Sequence, residues 1–234
     1  MDPFEPMALA LLDYLDGQAD AAFIVKSDVG EDEPTLAGQF FRTWEQMPAI
    51  ERQALDACRG RVLDIGAGGG CHSMVLAQRG LEVWPLDICP KMDEVLRRQG
   101  FAHVICQDVC ELQGMTFDTL LLMMNGIGIV GNLAGLERFL RHAAALVGPG
   151  GQMLLDSHDY RFTANATTRL YARGRFRGEI HLRIEYKGLL GEPFAWLFID
   201  PPMLQRYARK TGWRCEAIGY GTKGHYLARL ERQG

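Results

Sequence analysis

No two of the six cysteines in this 234-residue chain form a Cys-x-x-Cys pair, and their spacing with the six histidines matches no zinc pattern. A chain of this length can bury a core without disulfide staples, so Cys58, Cys71, Cys89, Cys106, Cys110 and Cys215 are expected to be reduced and mostly buried. Basic residues are not in excess. The 25 Lys and Arg stand against 29 Asp and Glu, a formal charge of −4, which argues against a general affinity for phosphate backbones or anionic membranes. No apolar run reaches the length of a membrane-spanning helix, and the acidic, proline-punctuated opening Met1-Asp2-Pro3-Phe4-Glu5-Pro6 is unlike a signal peptide. Internal repeats and low-complexity tracts are missing too. These absences lead us to expect a soluble, cytoplasmic protein with a small-molecule partner, no nucleic acid and no membrane. They leave open a homodimer.

What is present is an apolar fraction of 47%, enough for a substantial core, laid out as alternating short strands and helices. Residues 6–16 have a helical period, an acid-rich loop follows over Ser27–Gly38, and a second helical stretch runs from about Leu36 to Cys58, broken at Pro48. Strand Arg61–Ile65 then leads to helix Cys71–Arg79, and strand Glu82–Asp87 to helix Pro90–Gln99. Strands Ala102–Gln107 and Phe117–Met124, helix Leu133–Val147 and strand Gly151–Ser157 complete the centre. The strands are continuous apolar runs, as in sheets covered on both faces. The pattern predicts an α/β fold with a doubly wound, mostly parallel sheet. After residue 160 alternation of the kind Phe176, Ile180, Leu182, Ile184, Tyr186 marks half-exposed antiparallel strands, followed by a helix to Lys210 and two strands, Trp213–Tyr220 and His225–Leu230. The expected organisation is an N-terminal helical cap over residues 1–58 and a main domain over 59–234, with a small β insertion at about 160–199.

In an open α/β sheet ligands bind beyond the carboxyl ends of the strands, so the residues delivered there decide the function. The first strand delivers Val62-Leu63-Asp64-Ile65 and then the loop Gly66-Ala67-Gly68-Gly69-Gly70. Glycines without a Cβ let the backbone turn sharply and approach a ligand closely. The second strand ends in Asp87-Ile88, where a carboxylate can accept both hydroxyls of a ribose. The third delivers Gln107-Asp108-Val109, whose carboxylate can accept from an adenine amine, and the fourth Asn125-Gly126. This ordering calls for an adenosyl ligand. A dinucleotide oxidoreductase would need Gly-x-Gly-x-x-Gly, but its last position is Cys71, and the glycines fall at Gly66, Gly68 and Gly70.

The stretch from Asp64 to Gly70, with Asp87, Asp108 and Asn125, resembles the signatures of class I S-adenosylmethionine (SAM)-dependent methyltransferases over about residues 60–230. The resemblance implies a Rossmann-like seven-stranded sheet ending in an antiparallel hairpin, SAM as cofactor, and an enzyme. Gly66, Ala67, Gly68 and Gly70 would then lie under the methionyl part and Asp87 would hold the ribose. Asp108 and Val109 would flank the adenine, and Asn125 would lie near the sulfonium. Asp64 offers an acceptor for the ammonium.

The acceptor side is less constrained. Methylation at oxygen or nitrogen of a small molecule is expected, because the amino-methyltransferase signature Asn/Asp-Pro-Pro-Tyr is replaced by Asn125-Gly126-Ile127-Gly128. A protein or RNA methyltransferase, a non-catalytic SAM-binding module and a nicotinamide-dependent oxidoreductase are the alternatives. His158, just after the fifth strand, is the first candidate base, and His225, in the last turn, the second. Asp156 and Asp159 flank His158, but the spacing is not diagnostic of a metal and none is expected. Phe40, Phe41 and Trp44 could lid the acceptor, although core packing would give the same spacing. Tyr171, with Arg173, Arg175 and Arg177, forms a patch that could draw an anionic acceptor or lie solvated.

Overall fold

The strand and helix alternation is realised in a computed structural model that describes residues 2–163 and 176–233. In chain order it contains α1 (Glu5–Leu15), β1 (Ala22–Ser27), β2 (Glu33–Leu36), α2 (Ala49–Ala57), β3 (Arg61–Ile65) and α3 (Cys71–Gln78). Then come β4 (Glu82–Asp87), α4 (Pro90–Arg98), β5 (Ile105–Cys106), β6 (Phe117–Leu122), α5 (Leu133–Leu146) and β7 (Val147–His158). The last elements are β8 (Glu179–Tyr186), β9 (Leu189–Leu190), β10 (Phe194–Leu197), α6 (Pro201–Lys210), β11 (Trp213–Tyr220) and β12 (His225–Arg232).

Seven strands form the central sheet in the order β11-β12-β7-β6-β3-β4-β5. β7, β6, β3, β4 and β5 are parallel, while β12 and β11 close the sheet as an antiparallel hairpin. Local chemistry sets the helix starts. Asn132 accepts from the Gly135 amide ahead of α5 and Asp200 from the Met203 amide ahead of α6, while Pro90 and Pro201 fill first-turn positions that need no donor. Two apolar layers sandwich the sheet. α2 and α3 cover one face with Ile50, Leu55, Val75 and Leu76, and α5 and α6 the other with Leu136, Phe139, Leu140 and Leu204. The expected third strand shrinks to Ile105–Cys106, an edge pair of two residues.

The N-terminal region departs from its periodicity. Where a loop over Ser27–Gly38 and a helix from Leu36 are expected, the chain forms the hairpin β1–β2, two 3-10 turns at Ala37–Phe41 and Trp44–Gln46, and α2 only after Pro48. The hairpin pairs with the insertion. β1 runs antiparallel to β8, with Val25 opposite Ile184, and β10 and β9 join β8 to give a second, five-stranded sheet. A strand whose partner lies far along the chain leaves little local signal. The helical cap and the β insertion are therefore one unit. α1 lies between this sheet and α4, where Ala8, Leu11 and Leu12 meet Phe23, Ile184 and Tyr186 on one side and Met92 and Val95 on the other.

The second sheet is anchored to the first at the turn after β6. Trp196 on β10 fills the space that a side chain at Gly128 would need, and a Cβ added there would stand 2.2 Å from its ring atoms. Gly128→Ala should thus force the indole aside and cost about 1–3 kcal/mol in urea denaturation. Gly30→Ala, whose Cβ would meet nothing closer than 3.9 Å, should change stability by less than about 0.5 kcal/mol.

Candidate active site

β3 ends at Gly66, and the loop is tied down by its neighbour strand: the amides of Gly66 and Ala67 both donate to the Leu86 carbonyl, at 2.9 and 3.0 Å. Gly66, Gly68 and Gly70 all have φ between +54° and +79°, the left-handed region, so the loop curls and hands over to α3 at Gly70. Gly69 is required for a different reason. A Cβ there would stand 2.4 Å from the carbonyl oxygen of Phe40, so the segment before α2 crosses directly over the loop.

Asp87, at the end of β4, is buried and accepts from the amides of Gly68, at 3.1 Å, and Cys89, at 3.0 Å. Burial pushes its carboxyl up to about 6, partly offset by these amides and reinforced by the nearby charge of Asp2. Ile88 beside it is half exposed. The Gln107 amide donates to the Asp87 carbonyl, and Asp108 caps the short turn Val109–Glu111 by accepting from Cys110 at 2.8 Å. The Val109 side chain belongs to the core. The loop, Asp87, Ile88, Gln107 and Asp108 therefore line up along the carboxyl edge of β3, β4 and β5.

Beneath the loop, on the α2/α3 side, lies a buried polar chain. Asp64 accepts from the Ser73 hydroxyl at 2.6 Å; burial raises its pKa against the pull of His72 and Ser73. His72 Nε2 lies 3.0 Å from Glu51 Oε2, and Arg42 Nη2 donates to both Glu51 oxygens at 3.0 and 2.9 Å. Burial opposes a charged His72, yet Cys71, Glu51 and Asp64 hold its pKa well above the usual value. Burial also disfavours a charged Glu51, but His72 and Arg42 outweigh it and keep the carboxyl low.

At the end of β6 two consecutive non-glycine residues, Met124 (φ 60°) and Asn125 (φ 59°), adopt left-handed backbone. Such strain persists only where the surroundings over-determine it. Here the Asn125 amide donates to Asp156 Oδ1 at 2.7 Å, its side chain donates to the Leu197 carbonyl, and its side-chain oxygen accepts from Ser157. Arg42 reaches the Met124 sulfur at 3.5 Å. Gly126 follows in a buried 3-10 turn. The other oxygen of Asp156 lies 2.7 Å from His225 Nε2. His225 pairs across the ladder with His158, and their rings stack at 4.3 Å with 3° between planes. Burial and then His225 lower the His158 pKa, against Asp156. Its Nδ1 is enclosed and unpartnered, and Phe198 meets the ring edge-on at 6.2 Å.

The two candidate histidines thus meet, whereas the candidate aromatics separate. Phe40 packs over Gly68 and tilts against Phe23, Phe41 stacks on Tyr14 at 4.9 Å, and Trp44 lies under the Arg79 guanidinium at 3.9 Å. Tyr171, Arg173 and Arg175 fall outside the described residues. Spacing along the chain does not mark Arg42, Glu51, His72, Ser73 or Trp196. Arg42 and Glu51 meet only through the turn at Pro48, and no local motif signals that meeting.

Comparison with known proteins agrees with this geometry. The family described as a methyltransferase domain matches residues 39–218. A SAM-dependent methyltransferase from Bacteroides fragilis, solved in complex with S-adenosyl-L-homocysteine (SAH), is 36% identical, with a TM-score of 0.90 over 100% of this chain and 97% of that one. The ubiquinone biosynthesis O-methyltransferase of Xanthomonas euvesicatoria pv. vesicatoria (strain 85-10) is 26% identical over 172 residues, 70% of this chain and 66% of that protein. The demethylmenaquinone methyltransferase of Tropheryma whipplei (strain Twist) is 30% identical over 119 residues, 48% of each. The chain thus spans between about half and just under two thirds of these curated relatives.

The raised Asp87 pKa has a measurable consequence. The native state binds this proton more tightly than the unfolded chain, whose aspartate has a value near 3.8. That stability is present below about pH 3.8 and is lost as pH rises through about 6. Asparagine does not titrate. In urea denaturation without ligand, the stability of Asp87→Asn relative to wild type should therefore improve by at most about 3 kcal/mol between about pH 4 and about pH 7.5. A difference that does not move with pH would show that the carboxylate is not desolvated.

Proposed function

The chain belongs to the class I SAM-dependent methyltransferases, and from that premise we propose that it methylates an oxygen or nitrogen of a small molecule held near Asn125 and His158. The observation that carries the cofactor half is the run of strand-end groups from Asp64 to Asn125, and the residues present fit SAM. A left-handed glycine loop leaves open backbone at Gly66, where an added Cβ would meet only Ile129 at 3.9 Å. Two buried carboxylates flank it, and the one at Asp87 has too few donors to offset its burial. Ribose hydroxyls would supply them. In this reading Asp64 takes the ammonium, and Gly66, Ala67, Gly68 and Gly70 support the methionyl part. Asp87 takes the ribose, Ile88 with the Gln107-Asp108-Val109 backbone frames the adenine, and Asn125-Gly126 borders the reacting end. When bound, SAM supplies a methyl group on a positively charged sulfur, already activated towards in-line displacement.

The chain's remaining tasks are alignment, exclusion of water and, for a hydroxyl, removal of a proton. Oxygen is the favoured acceptor because His158 is suited to that last task. Its depressed pKa keeps it unprotonated at neutral pH, and the Asp156-bound His225 stacked on it fixes the ring. As the methyl group reaches oxygen, the hydroxyl proton passes to the His158 imidazole and then to solvent. Trp196 and Phe198, on the same side of the second sheet as this pair, supply apolar walls for the acceptor. The names of the two curated relatives, which refer to quinone biosynthesis, support a small-molecule acceptor of that general kind.

Calorimetry should show binding of SAM and SAH and none of NAD. Asp87→Ala should weaken SAH about 50-fold or more, and unchanged affinity would remove its ribose role. For an acceptor found by screening phenols and amines with methyl-labelled SAM, His158→Gln should lower kcat about 10²- to 10⁴-fold with SAH affinity intact. The wild-type rate should rise with pH below about 6.5 and be flat above neutrality. A pH-independent rate in that range would exclude His158 as the base.

A further inference from the structure

We propose that Arg42 receives the carboxylate of the methionyl group, so that the segment before α2 completes the cofactor site instead of lidding the acceptor. The inference rests on SAM occupying the glycine loop and adds one residue, from outside every strand end, to that site. Its position is set by contact. The Phe40 carbonyl lies against Gly69, and Phe41, Arg42 and Thr43 line, with Gly69 and Cys71, a cavity of about 100 Å³ beside the loop.

Donor counting supplies the second observation. A guanidinium carries five N–H groups. Arg42 Nε donates to the Gln39 carbonyl at 2.8 Å, and Nη2 serves Glu51 and the Met124 sulfur. Nη1 has no partner among the described residues, and the side chain is 18% exposed, so two donors remain available from an otherwise immobilised group. Glu51 holds the guanidinium in place and is itself shared with His72, so the carboxylate does not neutralise Arg42 alone.

Charge complementarity is the third. The polar chain runs from Asp64, through the first turn of α3 at His72 and Ser73, to Glu51 and Arg42. It presents an anion at one end and a cation with spare donors at the other. An amino-acid zwitterion requires that arrangement: ammonium towards Asp64, carboxylate towards Arg42. Charge-assisted pairs of an arginine with a carboxylate are among the stronger hydrogen bonds available.

The test compares SAH with 5′-deoxy-5′-methylthioadenosine, which keeps the adenosine and thioether but lacks the amino-acid part. By calorimetry, Arg42→Gln should weaken SAH about 10- to 100-fold while changing the truncated ligand less than about threefold, with Arg42→Lys in between. Removing Arg42 leaves Glu51 short of a partner. Should the single variant fail to fold, the double variant Arg42→Gln/Glu51→Gln, which removes both charges, carries the same expectation. Unchanged SAH affinity in a folded variant overturns the proposal, as does an equal loss for both ligands. An effect confined to the KM of an anionic acceptor would reassign Arg42 to that substrate. If the wild type bound neither SAH nor the truncated ligand, the cofactor site itself would be misplaced, a failure separate from that of Arg42.

Discussion

The Asp156 carboxylate, fully buried at the end of β7, holds two things in register. One oxygen accepts the amide of Asn125 and so keeps a left-handed backbone in place; the other fixes His225, and through it the stacked His158. A buried charge of this kind is tolerated only when each oxygen has a partner. The turn after β6 and the histidine pair on the next strands are therefore one mechanical unit. Asn125 extends it to the Leu197 carbonyl of the second sheet, and Met124 to Arg42. Cofactor side, acceptor side and the added sheet meet at this one strained step.

Around that step the protein keeps an unusual amount of negative charge out of water. Asp64, Asp87, Glu51 and Asp156 are all buried at or beside strand ends. Glu51 and Asp156 are matched by protein cations or amides, whereas Asp64 and Asp87 keep raised pKa values. The unmatched pair are the two that the ligand reading assigns to an ammonium and to ribose hydroxyls. A site held short of donors until its ligand arrives is less stable when empty and binds more strongly, the usual exchange of stability for function.

Much of this was legible in the chain. Parallel strands carry their chemistry at their carboxyl ends, so a one-dimensional list of strand ends (Asp64, Asp87, Asp108, Asn125, His158) is already a map of one edge of the sheet. The antiparallel hairpin brings His225 to the same edge, which is why both histidines stand out from sequence order alone. What stayed hidden depends on distant partners. β1 and β2 are short and acid-flanked, and they become strands only because β8 offers an edge. Arg42, Glu51 and His72 meet through a turn with no motif. Phe40, Phe41 and Trp44 share a helical spacing, but the 3-10 turns and Pro48 send them to the glycine loop, Tyr14 and Arg79.

The second sheet draws its strands from both ends of the chain, with β1 and β2 emerging first and β8 to β10 late. A lone hairpin is marginal in water, and long-range strand pairing is slow. As the chain is synthesised, β1 and β2 must wait unpaired while β3 to β7 appear. α1, tied to β8 through the Asp13 bond to Tyr186, cannot settle over the loop until that strand exists. The glycine cradle is thus made early and closed late. A nascent chain would pass through a stage with an open, Rossmann-like half-sheet before the wall on its cofactor side is complete.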